Sequence, residues 1–97
     1  MLVKIKRALG DTLISAILLI KISPAKEREV YNELLRIPEV VDAHVVFGEY
    51  DLIAKIKTKS FNALAQLVNE NIEAIPGVID TKVNFYPVER KHGFSLH

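Results

Sequence analysis

A repeated segment constrains the fold of this 97-residue chain more than any other feature of its sequence. The segment "IPEVVDAHVVF" at 37–47 aligns with "IPGVIDTKVNF" at 75–85, with six identities in eleven pairs. A second, weaker match aligns "AILLIKIS" at 16–23 with "LIAKIKTK" at 52–59. Because an internal repeat reflects a repeated structural unit, each half of the chain is predicted to contain a strand, a helix, an Ile-Pro stop and a second strand.

Each half contains a predicted helix with one apolar face. Ser23 is the candidate N-cap of the first helix, with Pro24 at its first position, and Ser60 is the candidate N-cap of the second. Apolar residues recur at helical spacing. They are Val30, Tyr31, Leu34 and Leu35 in the first helix and Phe61, Leu64, Ala65, Val68, Ile72 and Ile75 in the second. Pro38 and Pro76 end the helices, because a residue that precedes proline avoids the α conformation.

The order of these elements predicts an α+β fold of the ferredoxin-like βαββαβ type. Strands are expected near 13–22, 40–47, 51–57 and 78–86. Right-handed crossovers would place both helices on one face of a four-stranded antiparallel sheet, giving an α/β sandwich.

The first predicted strand, "LISAILLIKI" at 13–22, is apolar on both of its faces. A strand with one face in water would alternate between apolar and polar residues. The pattern therefore predicts that something covers the second face of the sheet. In a chain of this length the best candidate is a second copy, so we expect a homodimer with the two sheets face to face.

Composition disfavours several kinds of partner and chemistry. Thirteen Lys and Arg against twelve Asp and Glu leave a net charge of +1, which argues against direct binding of nucleic acid or of an anionic membrane. The first and third predicted strands contain no aromatic residue on which RNA bases could stack. The absence of cysteine excludes thiolate chemistry and fits a cytoplasmic location. The apolar run at 13–20 is too short to span a bilayer.

The sequence offers little support for catalysis, a metal site or a cofactor. His44, His92 and His97 do not share the spacing of metal ligands, and the four glycines are isolated from one another. An alternative interpretation is a small dimeric α+β-barrel enzyme, a cofactor-free monooxygenase or an isomerase. Such an enzyme needs an acid or base inside a cavity, and its candidates are His44 and Asp80.

The predicted hairpin carries an unusually polar tip, Gly48-Glu49-Tyr50-Asp51, between two apolar strands. Gly48 can adopt a positive φ, and Asp51 can accept hydrogen bonds from the N–H groups of the turn, so both are explained as turn formers. Tyr50 would expose its ring unless something packs on it. A site for a free amino acid needs N–H donors, an acceptor and an apolar pocket, and this hairpin beside a neighbouring subunit could supply all three.

Together, "NELLRIPEVVDAHVVFGEYDLIAKIK" and "IPGVIDTKVNF" resemble the effector-binding RAM domain of the Lrp/AsnC regulators. The shared pattern is a helix ending in Ile-Pro-x-Val, a G-x-[YF]-D hairpin and a later I-P-G-V, and the match covers about 14–89. The resemblance implies a dimer that assembles further into an oligomer of dimers, with amino-acid effectors bound between dimers beside the hairpin. Carried over by position, the ligand-binding residues are Gly48, Tyr50, Asp51, Leu52 and Thr81.

One departure from the family pattern concerns the beginning of the chain. Regulators of this family carry an N-terminal helix-turn-helix, and twelve residues cannot form one. We therefore expect an N-terminal extension at 1–12, a RAM-like effector-binding domain at 13–88 and a tail at 89–97. A stand-alone RAM protein would act in regulation through a full-length Lrp/AsnC relative or another partner. A purely structural assembly module is the third interpretation.

Overall fold

The computed structural model describes residues 14–86, and within them the predicted βαββαβ order is confirmed. The four strands are β1 (Ile14–Ile22), β2 (Val40–Val45), β3 (Leu52–Thr58) and β4 (Val78–Tyr86). The helices are α1 (Glu27–Leu35) and α2 (Phe61–Gln66), and α2 continues as a π-helix over Leu67–Ile72. The strand β2 ends two residues before its predicted end. The predicted extension and tail lie outside the described residues.

The sheet has the order β2-β3-β1-β4, and its neighbouring strands are antiparallel. The strands β1 and β3 are therefore central, whereas β2 and β4 form the edges. Both helices pack on one face, where the core contains side chains that are completely buried. The largest of them are Leu18, Ile20, Val30, Leu34, Leu52, Ile56 and Ile72. The predicted fold class, with two helices on one face of a four-stranded sheet, is thereby confirmed.

The opposite face of the sheet, which we call the open face, is only partly apolar. Cross-strand pairing places Leu19 beside Ile53, and Ile17 lies in the next row beside Lys55. Ile17, Leu19 and Ile53 are half-buried within the single chain. The expectation of an apolar second face is correct for β1, but β3 alternates as a half-exposed strand does. The open face thus has a small apolar centre with lysine next to it.

The start of α1 differs from the prediction, which made Ser23 its N-cap and Pro24 its first residue. The helix begins at Glu27 with Lys26 at the N-cap and no side-chain cap. The reason is a turn in which Ala25 has a φ of 72° and the amide of Lys26 donates to the carbonyl oxygen of Ser23 at 3.1 Å. In the second half Ser60 caps α2 as predicted, because its Oγ accepts from the Ala63 amide at 3.0 Å.

The conformation of Ala25 leads to a test of local strain. A left-handed alanine costs about 1–2 kcal/mol, whereas glycine adopts this conformation freely and loses about 0.5–1 kcal/mol through its more flexible unfolded state. We therefore expect Ala25→Gly to raise the free energy of unfolding by about 0.5–1 kcal/mol in urea denaturation. The matched substitution Ala63→Gly, inside α2, should lower it by a similar amount. Destabilisation by Ala25→Gly would contradict this assignment of strain.

Candidate ligand-binding site

The hairpin between β2 and β3 lies at one end of the sheet, beside the last residues of β1. The amide of Val46 donates to the carbonyl oxygen of Asp51 at 3.0 Å, which closes the hairpin. The amide of Asp51 donates to the carbonyl oxygen of Ile20 at 2.9 Å, which ties the hairpin to β1. The tip, Gly48 to Tyr50, extends beyond these two bonds.

The carboxylate of Asp51 has a partner that the sequence did not indicate. Its Oδ2 accepts a hydrogen bond from the backbone amide of Ile22 at 2.8 Å, across 29 residues of sequence. The expectation that Asp51 accepts from amides of its own turn is therefore wrong, because the end of β1 lies closer to the carboxylate. The pairing of β1 with β4 shifts register between Lys21 and Ile22. Asp51 thus satisfies the amide of Ile22 at the point where the β1–β4 pairing is irregular.

A second contact holds the tip of the hairpin in place. The Nζ of Lys21 donates to the carbonyl oxygen of Glu49 at 3.0 Å, while the side chain of Glu49 remains exposed. The hairpin is therefore held to the end of β1 by two side chains, Lys21 from β1 and Asp51 from the hairpin itself. The tip is held in one position without using the carboxylate of Glu49.

The tip offers a row of backbone donors. The amides of Gly48, Glu49 and Tyr50 donate to no group of residues 14–86. Gly48 is exposed with a φ of 127°, and a Cβ built on it would meet nothing within 4 Å. Successive backbone amides without an internal partner can donate together to an anion such as a carboxylate. The tip can therefore supply the N–H donors that an amino-acid site requires.

The exposed aromatic residue of this hairpin is Phe47 rather than Tyr50. Tyr50 is half-buried, whereas Phe47 is 98% exposed and Val45 is 61% exposed. Sequence reasoning used Phe47 only as a match within the repeat, and expected β2 to include it. Because β2 ends at Val45, Phe47 lies outside the ladder and its ring points away from the core. An exposed ring of this size can pack on a ligand or on a neighbouring subunit.

The structure does not bring all of the candidate residues together within one chain. Gly48, Tyr50 and Asp51 share the hairpin, but the side chain of Leu52 is completely buried, so Leu52 could contact a ligand only through its backbone. Thr81 pairs with Ile20 of β1, and Ile20 pairs with Leu52 of β3. Thr81 therefore lies two strands away from Leu52, about 10 Å across the sheet. The Oγ1 of Thr81 donates to Oε2 of Glu73 at 2.6 Å, on the helix-covered face.

His44 and Asp80 were the candidates for an inward acid or base in the enzyme interpretation. Both are exposed, and Nε2 of His44 lies 3.0 Å from Oδ2 of Asp42 on the surface. Neither side chain lies inside the core, and His44 borders an open groove of about 560 Å³ whose other side is formed by α1. Within residues 14–86, no three potential metal ligands cluster, and no helix is long and apolar enough to cross a membrane.

Comparison with known families matches residues 15–95 to the Lrp/AsnC ligand binding domain. The chain is also similar to the HTH-type transcriptional regulator FL11 of Pyrococcus horikoshii, with 36% identity over 74 residues. That match covers 76% of this chain and 48% of the regulator. The chain therefore spans about half the length of the curated relatives it matches.

Solved structures agree with this match in fold. The crystal structure of FFRP-DM1 is 40% identical, with a TM-score of 0.73, over 75% of this chain and 97% of that one. A transcriptional regulator from Neisseria meningitidis, solved as a complex with L-methionine, is 28% identical with a TM-score of 0.72. That match covers 87% of this chain and 56% of the regulator.

Proposed function

The chain belongs to the Lrp/AsnC family of ligand-binding domains, and on that premise we propose that it senses a free amino acid between subunits. The effector would bind at the β2–β3 hairpin, with residues 13–88 as the sensing domain. The amides of Gly48, Glu49 and Tyr50 would donate to the effector's carboxylate. The proposal depends on these three amides, which have no partner among residues 14–86, and on the exposed ring of Phe47, which directly precedes them in the chain.

The remaining groups of the hairpin have separate roles in this proposal. The carboxylate of Glu49 is exposed and lies next to the donor amides, so it would accept from the effector's ammonium group. Asp51 would position the tip through its bond to Ile22 rather than touch the effector with a free oxygen. Phe47 would cover the effector's side chain, which favours an apolar effector.

Subunit assembly is the second part of the proposal. The open face would form the homodimer, because Ile17, Leu19 and Ile53 make an apolar centre that the single chain leaves partly in water. Dimers would assemble further, so that a neighbouring chain closes the site. Leu52 would contribute its backbone, and Thr81 would act from a neighbouring subunit or after releasing Glu73.

The regulatory role would depend on partners. FL11 is an HTH-type transcriptional regulator and is about twice the length that this chain covers. We propose that this chain modulates such a full-length relative in the cytoplasm, by joining its assembly in an effector-dependent way. Sedimentation of a mixture with one of those relatives, with and without effector, would test that step.

Isothermal titration with the twenty amino acids, beginning with L-methionine, tests the effector site. We expect the wild-type protein to bind at least one apolar amino acid with a micromolar to millimolar dissociation constant. Phe47→Ala should weaken that binding about tenfold or more, because it removes the aromatic wall. Stability should barely change, since the ring is 98% exposed.

Phe61→Ala is the matched control, because Phe61 is also largely exposed, at 61%, but lies at the start of α2. It should leave the dissociation constant unchanged. No heat of binding for any of the twenty amino acids at millimolar concentration would contradict the proposed function. Equal weakening by the two substitutions would place the effector elsewhere.

A further inference from the structure

A smaller groove lies between α2 and β4, on the helix-covered face of the sheet. It is lined by Phe61, Leu64, Ala65, Val68, Asn69 and Val83. Leu64 and Val68 are buried, whereas Ala65 is exposed and Val83 is half-buried. The groove measures about 200 Å³, and pockets for small ligands hold roughly 300–1,000 Å³. It therefore suits a few aliphatic side chains better than a small-molecule effector.

One end of this surface is acidic. Glu73 lies against β4, because its Oε2 accepts from Oγ1 of Thr81 at 2.6 Å, and Glu70 lies one turn before it in the helix. Both glutamates are exposed, and neither forms an ion pair within residues 14–86. Since complementary charge selects a partner, an apolar groove that ends in two carboxylates favours an occupant that is both aliphatic and basic.

The segment that precedes β1, residues 1–13, has this composition. Its cations are Lys4, Lys6 and Arg7, and its aliphatic side chains near them are Leu2, Val3, Ile5, Ala8 and Leu9. With Asp11 as its one carboxylate, the segment has a net charge of +2. Residues 14–86 contain eight Lys and Arg against ten Asp and Glu, a net charge of −2. The segment and the domain are therefore opposite in charge.

The segment joins the domain at the end of the sheet where the groove begins. Ile14 pairs with Thr58, shortly before the start of α2, and Ser15 pairs with Tyr86, the last residue of β4. From Phe61 to Glu73 the helix rises about 18 Å, a length that about six extended residues span. Thirteen residues can therefore pass the end of β4 and follow the groove to its acidic end.

We propose that residues 1–13 dock in the groove between α2 and β4 of their own chain. Aliphatic side chains such as Val3 and Ile5 would pack on the apolar lining, and the cations would lie beside Glu70 and Glu73. The outer edge of β4 pairs with nothing among the described residues, so the docked segment would shield it from other strands. This contact is separate from the effector site and from the proposed open-face dimer.

Two other occupants fit the groove less well. Residues 87–97 leave β4 at the same end, but five residues without an aliphatic side chain separate Val88 from Phe94. They also carry a net charge of only +1. A second copy that packed α2 symmetrically on α2 would bring the acidic ends of two grooves into one contact, where like charges repel. Both occupants are outcomes that the experiment below can identify.

A spin label on the full chain tests the contact. Because the sequence contains no cysteine, the substitution Leu2→Cys allows a nitroxide to be attached at one position. We expect this label to remove the amide signals of Asn69, Glu70 and Thr81 from the NMR spectrum of the ¹⁵N-labelled protein. The amide signals of His44 and Val45, at the opposite edge of the sheet, should keep their intensity.

Charge reversal tests the acidic end of the groove. In the spin-labelled chain, Glu70→Lys should restore the three lost signals, because it places a cation where the segment brings its own. Adding Lys6→Glu should remove the signals again, since the opposite charges are then exchanged. Glu33→Lys is the matched control, because Glu33 is an exposed glutamate in the middle of α1. It should leave the signals lost, and circular dichroism should show that every variant keeps its fold.

A mixture separates docking within one chain from docking between chains. Spin-labelled chains without ¹⁵N, mixed with unlabelled ¹⁵N chains, should leave all signals intact. Loss of the groove signals in this mixture would make a second copy the occupant, and their loss with the label at Leu96→Cys would make it the C-terminal segment. Either result, or full signals with the label at Leu2→Cys, would overturn the proposal. None of these outcomes bears on amino-acid binding, which the titration decides.

Discussion

Replacing Gly77 by alanine should lower the free energy of unfolding by about 2–4 kcal/mol. Two effects add at this position. Gly77 has a φ of 108°, a conformation that an L side chain rarely adopts. A Cβ there would also lie 2.9 Å from Cβ of Lys26 and 3.0 Å from Cγ2 of Val30. Neither atom can withdraw easily, because the first belongs to the start of α1 and Val30 is completely buried.

Gly48→Ala is the matched control, because Gly48 shares the positive φ, 127°, but has open space around it. It should cost only the backbone contribution, about 1–2 kcal/mol. Urea denaturation of the two variants therefore separates backbone strain from steric contact. If the two losses were equal, the close approach of Gly77 to α1 would have no energetic weight.

Gly77 also explains an asymmetry in the repeat. The repeat aligns Gly77 with Glu39, in Ile-Pro-Gly and Ile-Pro-Glu respectively. The carbonyl oxygen of Gly77 accepts from the amide of Ser23 at 2.8 Å, and its Cα lies against α1. Glu39 is exposed, and its carbonyl oxygen accepts from the amide of Lys57 at 3.0 Å. Both carbonyl oxygens accept from a backbone amide in or directly after a neighbouring strand. Only Gly77 also lies against α1, so only this position requires glycine.

Most of the fold could be predicted because its signals are local and repeated. The Ile-Pro stops and the helical stripes fix the order of elements, and the pairing of strands follows from the handedness of the crossovers. The start of α1 could not be predicted in this way. The pair Ser23-Pro24 suits an N-cap, but Ala25 adopts a left-handed φ, and the amide of Ser23 is bonded to Gly77, which is distant in sequence.

The candidate site was predicted less completely, because it depends on register and on distant contacts. Thr81 faces the helices since its pairing with Ile20 puts it on that side of the sheet, and a shift of one residue would reverse this. Local spacing does not reveal that Asp51 reaches Ile22 or that Lys21 reaches Glu49. Phe47 could have been found if the end of β2 had been placed at Val45.

The second large effect is expected at Asp51. Asp51→Ala should lower the free energy of unfolding by about 1–3 kcal/mol, because it leaves the partly buried amide of Ile22 without its acceptor. Asp51→Asn keeps an oxygen at the same place and should lose less than half as much in urea denaturation. A loss below 0.5 kcal/mol for Asp51→Ala, about the size of an ordinary surface substitution, would show that water replaces the carboxylate without cost.

The same pair of variants separates support of the hairpin from contact with the effector. If Asp51 acts by positioning the tip, Asp51→Asn should retain most of the affinity for the amino acid, and Asp51→Ala should lose it together with stability. Phe47→Ala should show the opposite combination, with affinity lost and stability kept, since its ring is exposed. An Asp51→Asn variant that is stable but does not bind would instead make the charge of Asp51 part of the binding site, as an acceptor for the effector's ammonium group.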